Sequence, residues 1–469
     1  MSDKLEKNET KETGESKPGK PEEIVPKAIA SFTRQMKSIS ECATVHIAHA
    51  VETHRTRVES ILTAVNTGMV VKKTSDGEVQ QVGIRFQSKQ QMEEFREIVD
   101  AVPHGSHSDV LAKSLLIFGF STFDAFLGAL LRSLFRINDQ LIHKLEEKEI
   151  TLSDLLHAKT TEAVINNLIE RDISSLLRKS YDELFSKLAN RHGVKSLKEF
   201  DDWPSFIECS QRRNLITHCD GVVNEEYLSK CRAAGVPITA GMVVGKKLGV
   251  SSGYLADSLD LLYAVGVMLA HTLWRISRED HIESSEEALV SEMYGLLLRQ
   301  KWKLTRSIGK FAVEMRKTCN DLQVKIIRLN YAQAVKWEGD NNQAMKILNE
   351  VDWSSSIREL RLGVAVLRDS YDEAAELMRG IGKSGELIDQ DGYGEWPIFR
   401  IFRDSDQFKT AYRGVYGMEF AVDSVSGSKK TSEESDTSLA DKITLSTIES
   451  RNQNNGDLPV SKEGMSDAT

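Results

Sequence analysis

The stretch Ser108–Leu134, SDVLAKSLLIFGFSTFDAFLGALLRSL, decides the fold class. It is apolar almost all round at helical spacing, and a helix without a polar face belongs inside a bundle of other helices. Its most apolar part, Leu115–Leu131, carries Ser121, Thr122 and Asp124. That length and polarity suit a buried core helix better than a membrane span. Further helices are expected over 160–170, 172–191, 203–219 and 254–278, with a long loop near 229–252 punctuated by Pro237, Gly241, Gly245 and Gly249. The fold class is therefore all-α, with 105–280 a helical bundle.

Upstream, 27–104 forms a second helical region. Ile29, Phe32, Met36, Ile39, Val45 and Ile61 mark one long helix over 27–66. Met69-Val70-Val71, the turn Ser75-Asp76-Gly77 and Val79–Phe86 then read as a small β-hairpin near 69–86. Helix returns over Ser88–Val99, and Pro103-His104-Gly105-Ser106 is a turn and a boundary. Residues 1–26 and 421–469 hold no aromatic residue and are rich in polar and charged types. Such tails cannot bury enough apolar surface to offset chain entropy, so both are expected to be disordered. Five cysteines without a CxxC pair exclude a disulfide scaffold and a zinc ribbon. The polar N-terminus has no apolar signal-peptide core. These features point to a soluble, cytoplasmic chain without a membrane segment.

Residues 285–420 form a further helical set with an internal repeat. Tyr331-Ala332-x-Ala334-Val335-x-Trp337-x-Gly339-Asp340, followed by Ala344 and Ile347-Leu348, is one unit. Leu362-x-Val364-Ala365-x-Leu367, followed by Tyr371-Asp372-Glu373-Ala374 and Leu377-Met378, is the next. Ala344 and Ala374 lie 30 positions apart, against the usual period of about 34. The pattern resembles tetratricopeptide repeats, and that resemblance implies a groove for a peptide or protein partner. Generic helical hairpins without such a groove are the alternative. A further hairpin near Trp396–Tyr416 would cap the stack.

The line richest in chemistry is Trp203–Leu228, WPSFIECSQRRNLITHCDGVVNEEYL. It contains Arg213-Asn214-x-x-x-His218 before an Asp220-Gly221 turn. Arg136/His143 and Arg275/His281 match the spacing loosely, but apolar Ile137 follows the first and the second straddles the end of the bundle. With the core helix Leu115–Leu127, the line resembles the HEPN superfamily, and within it the branch called RiboL-PSP-HEPN, over about 105–280. That resemblance implies a homodimeric, metal-independent endoribonuclease without cofactor, with Arg213 and His218 as the catalytic pair and Asn214 as their polar neighbour. It also implies a cyclic phosphate product and a setting in defence or stress response. Other HEPN domains only bind, so a non-catalytic interaction scaffold is the competing reading. A separate nucleotidyltransferase partner is a third.

Residues five apart on a helix leave it about 140° apart, so Arg213 and His218 do not converge within one intact helix. A second copy on a two-fold axis, or unwinding at Asp220-Gly221, would bring such groups together. Arg213 offers a fork suited to phosphate, and His218 is an acid or base near a helix end whose dipole favours imidazolium. The alternative is that both brace the turn or a dimer interface. Asp124, alone in its apolar helix, requires a partner if buried: it supports Arg213 and His218 from behind, or makes an unrelated salt bridge or hydrogen bond.

His46, His49 and His54 read as a polar helix face rather than a metal site, and Cys209 and Cys219 as reduced, hydrophobe-like thiols. Gly245-Lys246-Lys247 lacks the full phosphate-loop pattern. The net charge of −9 argues at first against nucleic acid. However, −6 of it lies in the two tails, and Arg299–Arg328 carries +7. Arg299, Lys301, Lys303 and Arg306 of that run, with Arg212, are candidate RNA contacts. The alternatives for the run are a solvated face or a docking surface for the acidic tails.

Overall fold

Val25, Ile29, Phe32, Met36, Ile39, Ala43 and Ile47 recur at three- and four-residue spacing, and all are buried. They make the inner stripe of a continuous helical stretch: α1 (Pro21–Cys42), a π-turn at Ala43–Ile47 and α2 (Ala48–Gly68). The computed structural model describes residues 21–73, 79–101, 107–145, 149–158, 160–315 and 317–420. Helix therefore starts earlier than the polar composition suggests. Residues 21–26 are not tail, because Val25 extends the buried stripe by one turn. Residues 1–20 and 421–469 lie outside the described residues.

Strands β1 (Met69–Lys73) and β2 (Val79–Ile84) pair antiparallel with Val71 opposite Val82. The expected turn at Ser75-Asp76-Gly77 and the boundary at Pro103–Ser106 lie outside the described residues. Next come α3 (Lys89–Ala101), α4 (His107–Ile137), α5 (Leu152–His157), α6 (Thr161–Leu177), α7 (Tyr181–His192), α8 (Trp203–Cys219) and α9 (Glu225–Ala233). The chain is predominantly helical. Helix α4 is its first unit's spine: Leu116, Phe120, Phe123, Leu127 and Leu130 are buried. Phe32 stacks on Phe126 with ring centroids 4.1 Å apart. Arg132 grips Glu170 with two hydrogen bonds, at 2.6 and 2.7 Å, tying α4 to α6.

Two boundaries differ from expectation. The break near residue 171 falls instead at 178–180, because Asp172 is held inside the bundle by a two-pronged bond from Arg191, at 2.7 and 2.9 Å. The loop expected from 229 starts after α9. Asn224 caps that helix by accepting from the Tyr227 amide at 2.8 Å, and Tyr227, Leu228 and Cys231 are buried beneath it.

The chain divides into two compact units at Leu255/Ala256, within α10 (Ser252–Ser277). The second unit continues with α11 (Ile282–Leu298), α12 (Trp302–Val313), α13 (Asp321–Glu338), α14 (Asn341–Asn349), α15 (Arg358–Leu367), α16 (Tyr371–Ile381), α17 (Gln390–Glu395) and α18 (Asp406–Tyr416). Between α17 and α18, Trp396–Asp404 is two short 3-10 turns rather than a helix. Its buried Phe399 and Phe402 pack against Tyr393, Tyr371 and Phe408.

Helices α11/α12, α13/α14 and α15/α16 are three successive hairpins, and their turns are alike. Gln300, Gly339 and Asp369 each adopt a left-handed conformation, with φ of 57°, 107° and 57°. In each turn the following amide reaches back five residues: Lys301 to Leu296 at 3.0 Å, Asp340 to Val335 at 3.1 Å, Ser370 to Ala365 at 2.9 Å. Five residues past the left-handed position stand Thr305, Ala344 and Ala374, all fully buried. Small residues let neighbouring helices approach. A Cβ at Gly309 would lie 2.8 Å from Tyr331, and one at Gly363 2.7 Å from Leu329.

Helices α4 and α10 are long and apolar enough to cross a membrane, and more than half of each apolar window is buried within the protein.

Candidate functional site

Helices α4 and α8 run antiparallel. Phe123 of α4 meets Phe206 of α8 with centroids 5.8 Å apart. Further along, Phe120 and Asp124 of α4 meet Arg213. Phe120 and Asp124 sit one helical turn apart and therefore share a face. The Arg213 guanidinium lies 5.1 Å from the Phe120 ring centroid. Its Nη2 donates to Asp124 Oδ2 at 3.4 Å and its Nη1 to Asn214 Oδ1 at 3.1 Å. Asp124 Oδ1 accepts a 2.5 Å bond from the Tyr181 hydroxyl. Burial pushes the Asp124 carboxyl above its ordinary range, against the opposing pulls of Tyr181 and then Arg213. The Arg213 side chain is 23% exposed, so the guanidinium is reachable yet oriented from behind. Its Nε is buried without a hydrogen-bond partner.

The structure thus joins Arg213, Asn214 and Asp124 and adds Tyr181 and Phe120. It does not bring His218 to them within one chain. His218 is exposed at the end of α8 and takes no partner among the described residues. The helix ends there because Asp220 turns left-handed, with φ of 48°, and Gly221 follows at 79°. Gly221 and Val223 pair with a strap formed by residues 245–248. Gly221 donates to Leu215 O at 2.9 Å and accepts from the Leu248 amide at 2.9 Å. A Cβ on Gly221 would lie 2.6 Å from Leu248 O, so only glycine allows this close approach.

Arg212, expected among the RNA contacts, is used internally. Its Nε donates to Glu208 Oε1 at 2.8 Å, and its guanidinium stacks 3.9 Å from the Tyr254 ring centroid. Glu208 is buried, and it also accepts from Tyr227 and Tyr254 hydroxyls, each at 2.7 Å. Burial pushes both tyrosines up. This clamp joins α8 to α9 and to the start of α10.

The basic run of the second unit is also matched by carboxylates. Arg299 stands 3.9 Å from Glu292, Lys301 3.0 Å from Asp260, Lys303 2.9 Å from Asp257 and Arg306 3.1 Å from Glu338. These four cations thus stand against carboxylates from outside the run. Among the described residues no group of three His, Cys, Asp or Glu side chains could hold a metal ion.

Comparison with protein-family models, curated proteins and solved structures finds no match to this chain.

Proposed function

We propose that the chain is a metal-independent endoribonuclease of the HEPN type that works as a homodimer. The observation that carries this reading is the Arg213 guanidinium, held by Asp124 and Tyr181 yet reachable, with the exposed imidazole of His218 five residues further along the same helix. In the proposed step the 2′-OH of RNA attacks its own phosphate. The P–O5′ bond breaks, leaving a 2′,3′-cyclic phosphate and a 5′-hydroxyl. His218 accepts or donates the moving proton, Arg213 stabilises the charge growing on the phosphate, and Asn214 and Asp124 hold Arg213 in place. Because Arg213 and His218 leave one helix in different directions, His218 of a second copy completes each cleft. Val110 and Phe118, two turns apart on α4, are 64% and 56% exposed and suit burial by that copy. A cytoplasmic role in defence or stress response belongs to the same reading.

The test is cleavage of a short RNA by the purified full chain. Arg213→Ala and His218→Ala are each expected to lose roughly 100-fold or more. Mixing the two inactive variants restores activity through one intact cleft. Undiminished cleavage by either variant, or dependence on a metal, overturns the proposal.

A second reading, an interaction scaffold, is favoured by the three hairpins with like turns. They resemble tetratricopeptide units and would present a groove to a peptide or protein partner. Wild-type protein that cleaves no RNA yet captures a partner through the hairpins would decide for it.

A further inference from the structure

We propose that Lys246 and Lys247 are the nucleotide-backbone contacts of the α8 site; the inference rests on the RNA-cleaving reading above. The strap that carries them is fixed to the residues that follow His218. The Val223 amide donates to Lys246 O at 3.0 Å, the Gly245 amide to Val223 O at 2.9 Å and the Leu248 amide to Gly221 O at 2.9 Å. The buried Met242 and Val250 anchor the strap on either side. Both lysine side chains stand in solvent on a backbone that is already ordered, so binding would cost little further ordering of the chain.

Charge points the same way. Residues 227–256 contain Lys230, Arg232, Lys246 and Lys247 and no Asp or Glu. Lys246 takes no acidic partner among the described residues. Lys247 pairs with Asp220 at 2.5 Å, but that carboxylate is 78% exposed. Such a surface pair is weak and yields readily to a phosphate. Asp220 lies seven residues past Arg213, about 10 Å along the helix. Lys247, held at Asp220 two residues past His218, therefore stands at the C-terminal end of α8, about 10 Å along the helix from Arg213, a spacing that a short run of nucleotide backbone can follow. In the basic run at 299–328, Lys301 and Arg306 face carboxylates that are 27% and 31% exposed, less open to solvent than Asp220.

The test is binding of the full-length protein to a fluorescent single-stranded RNA made uncleavable by 2′-O-methylation, between 50 and 300 mM salt (about a Debye length of 6–13 Å). Each lost phosphate contact lowers the slope of log affinity against log salt by about 0.7 on a single strand. Lys246→Ala/Lys247→Ala is expected to flatten the slope by about 1.4 and weaken binding roughly tenfold near physiological salt. Lys246→Arg/Lys247→Arg keeps the slope, and so does Lys301→Ala/Lys303→Ala. Wild-type binding with an unchanged slope in Lys246→Ala/Lys247→Ala overturns this inference while leaving the ribonuclease reading intact. Wild-type protein that binds no RNA, or that binds anionic vesicles instead, overturns both.

Discussion

Arg213 and Asp124 stand 89 positions apart in sequence and 3.4 Å apart in space, with the Tyr181 hydroxyl closing on the other carboxylate oxygen at 2.5 Å. A carboxylate at this place has two effects. It orients the guanidinium, and it competes with any anion that approaches the same nitrogens.

That competition has a pH signature. Burial raises the Asp124 carboxyl in the folded state, so the folded chain binds this proton more tightly than the unfolded chain. The favourable contribution is full below the unfolded value and is lost as pH rises through the folded one. Asp124→Asn removes that slope while keeping a partner for Tyr181. The difference in urea stability between wild type and Asp124→Asn, measured from pH 4 to pH 7, should move in favour of the variant as pH rises.

Glu208 presents a different balance, because its carboxylate serves three donors in a buried position. Glu208→Ala leaves Arg212, Tyr227 and Tyr254 without it. The expected loss is about 3–5 kcal/mol, the range for breaking a buried ion pair from one side. Tyr227→Phe, which removes a single hydrogen bond, should cost about 1 kcal/mol by chemical denaturation.

The left-handed turns allow a gain rather than a loss. Gln300 holds a φ of 57° that a side chain makes costly. Gln300→Gly is expected to stabilise the second unit by about 1 kcal/mol, and Gly339→Ala to destabilise it by a similar amount. Asp369→Gly should gain less, because Asp369 accepts a 2.6 Å charge-assisted bond from Lys336, against the longer 3.3 Å bond that Gln300 accepts from Arg400. Denaturation midpoints of the three variants check the order.

His271 is fully buried beside Ser285, with its Nδ1 2.8 Å from the hydroxyl. Burial, then the Arg275 charge, lowers its pKa to about 3. The unfolded chain takes up this proton below about pH 6.5 and the folded chain does not until about pH 3. The contribution is therefore complete above pH 6.5 and lost as pH falls, by about 2 kcal/mol at pH 5. His271→Asn, which keeps an amide near Ser285, should show a smaller stability loss between pH 7.5 and pH 5.

The helical class was legible because Ser108–Leu134 has no polar face, and the helix turn at Gly339 because that glycine marks it. The α11/α12 hairpin escaped the repeat reading. Gln300 stands where the next turn has glycine, and Thr305 where later hairpins have alanine, so like geometry has unlike letters. At the candidate site, Asp124 was suspected from its apolar surroundings, and Phe120 one turn away shares its face. Tyr181 could not be found that way, since its contact with Asp124 depends on how α7 docks. The local balance of charge around 299–328 was hidden for the same reason. Its counter-charges Asp257, Asp260, Glu279 and Glu292 precede it in sequence and reach it through packing alone.

The shared turn geometry also bears on how the second unit assembles. Each hairpin closes through contacts near in sequence, and each leans mainly on its immediate neighbours, so folding can begin at any of the three and spread along the row. A lesion in one hairpin would then fray the end beyond it while sparing the rest. Hydrogen exchange would record this as a gradient of protection along the row, in place of one global opening.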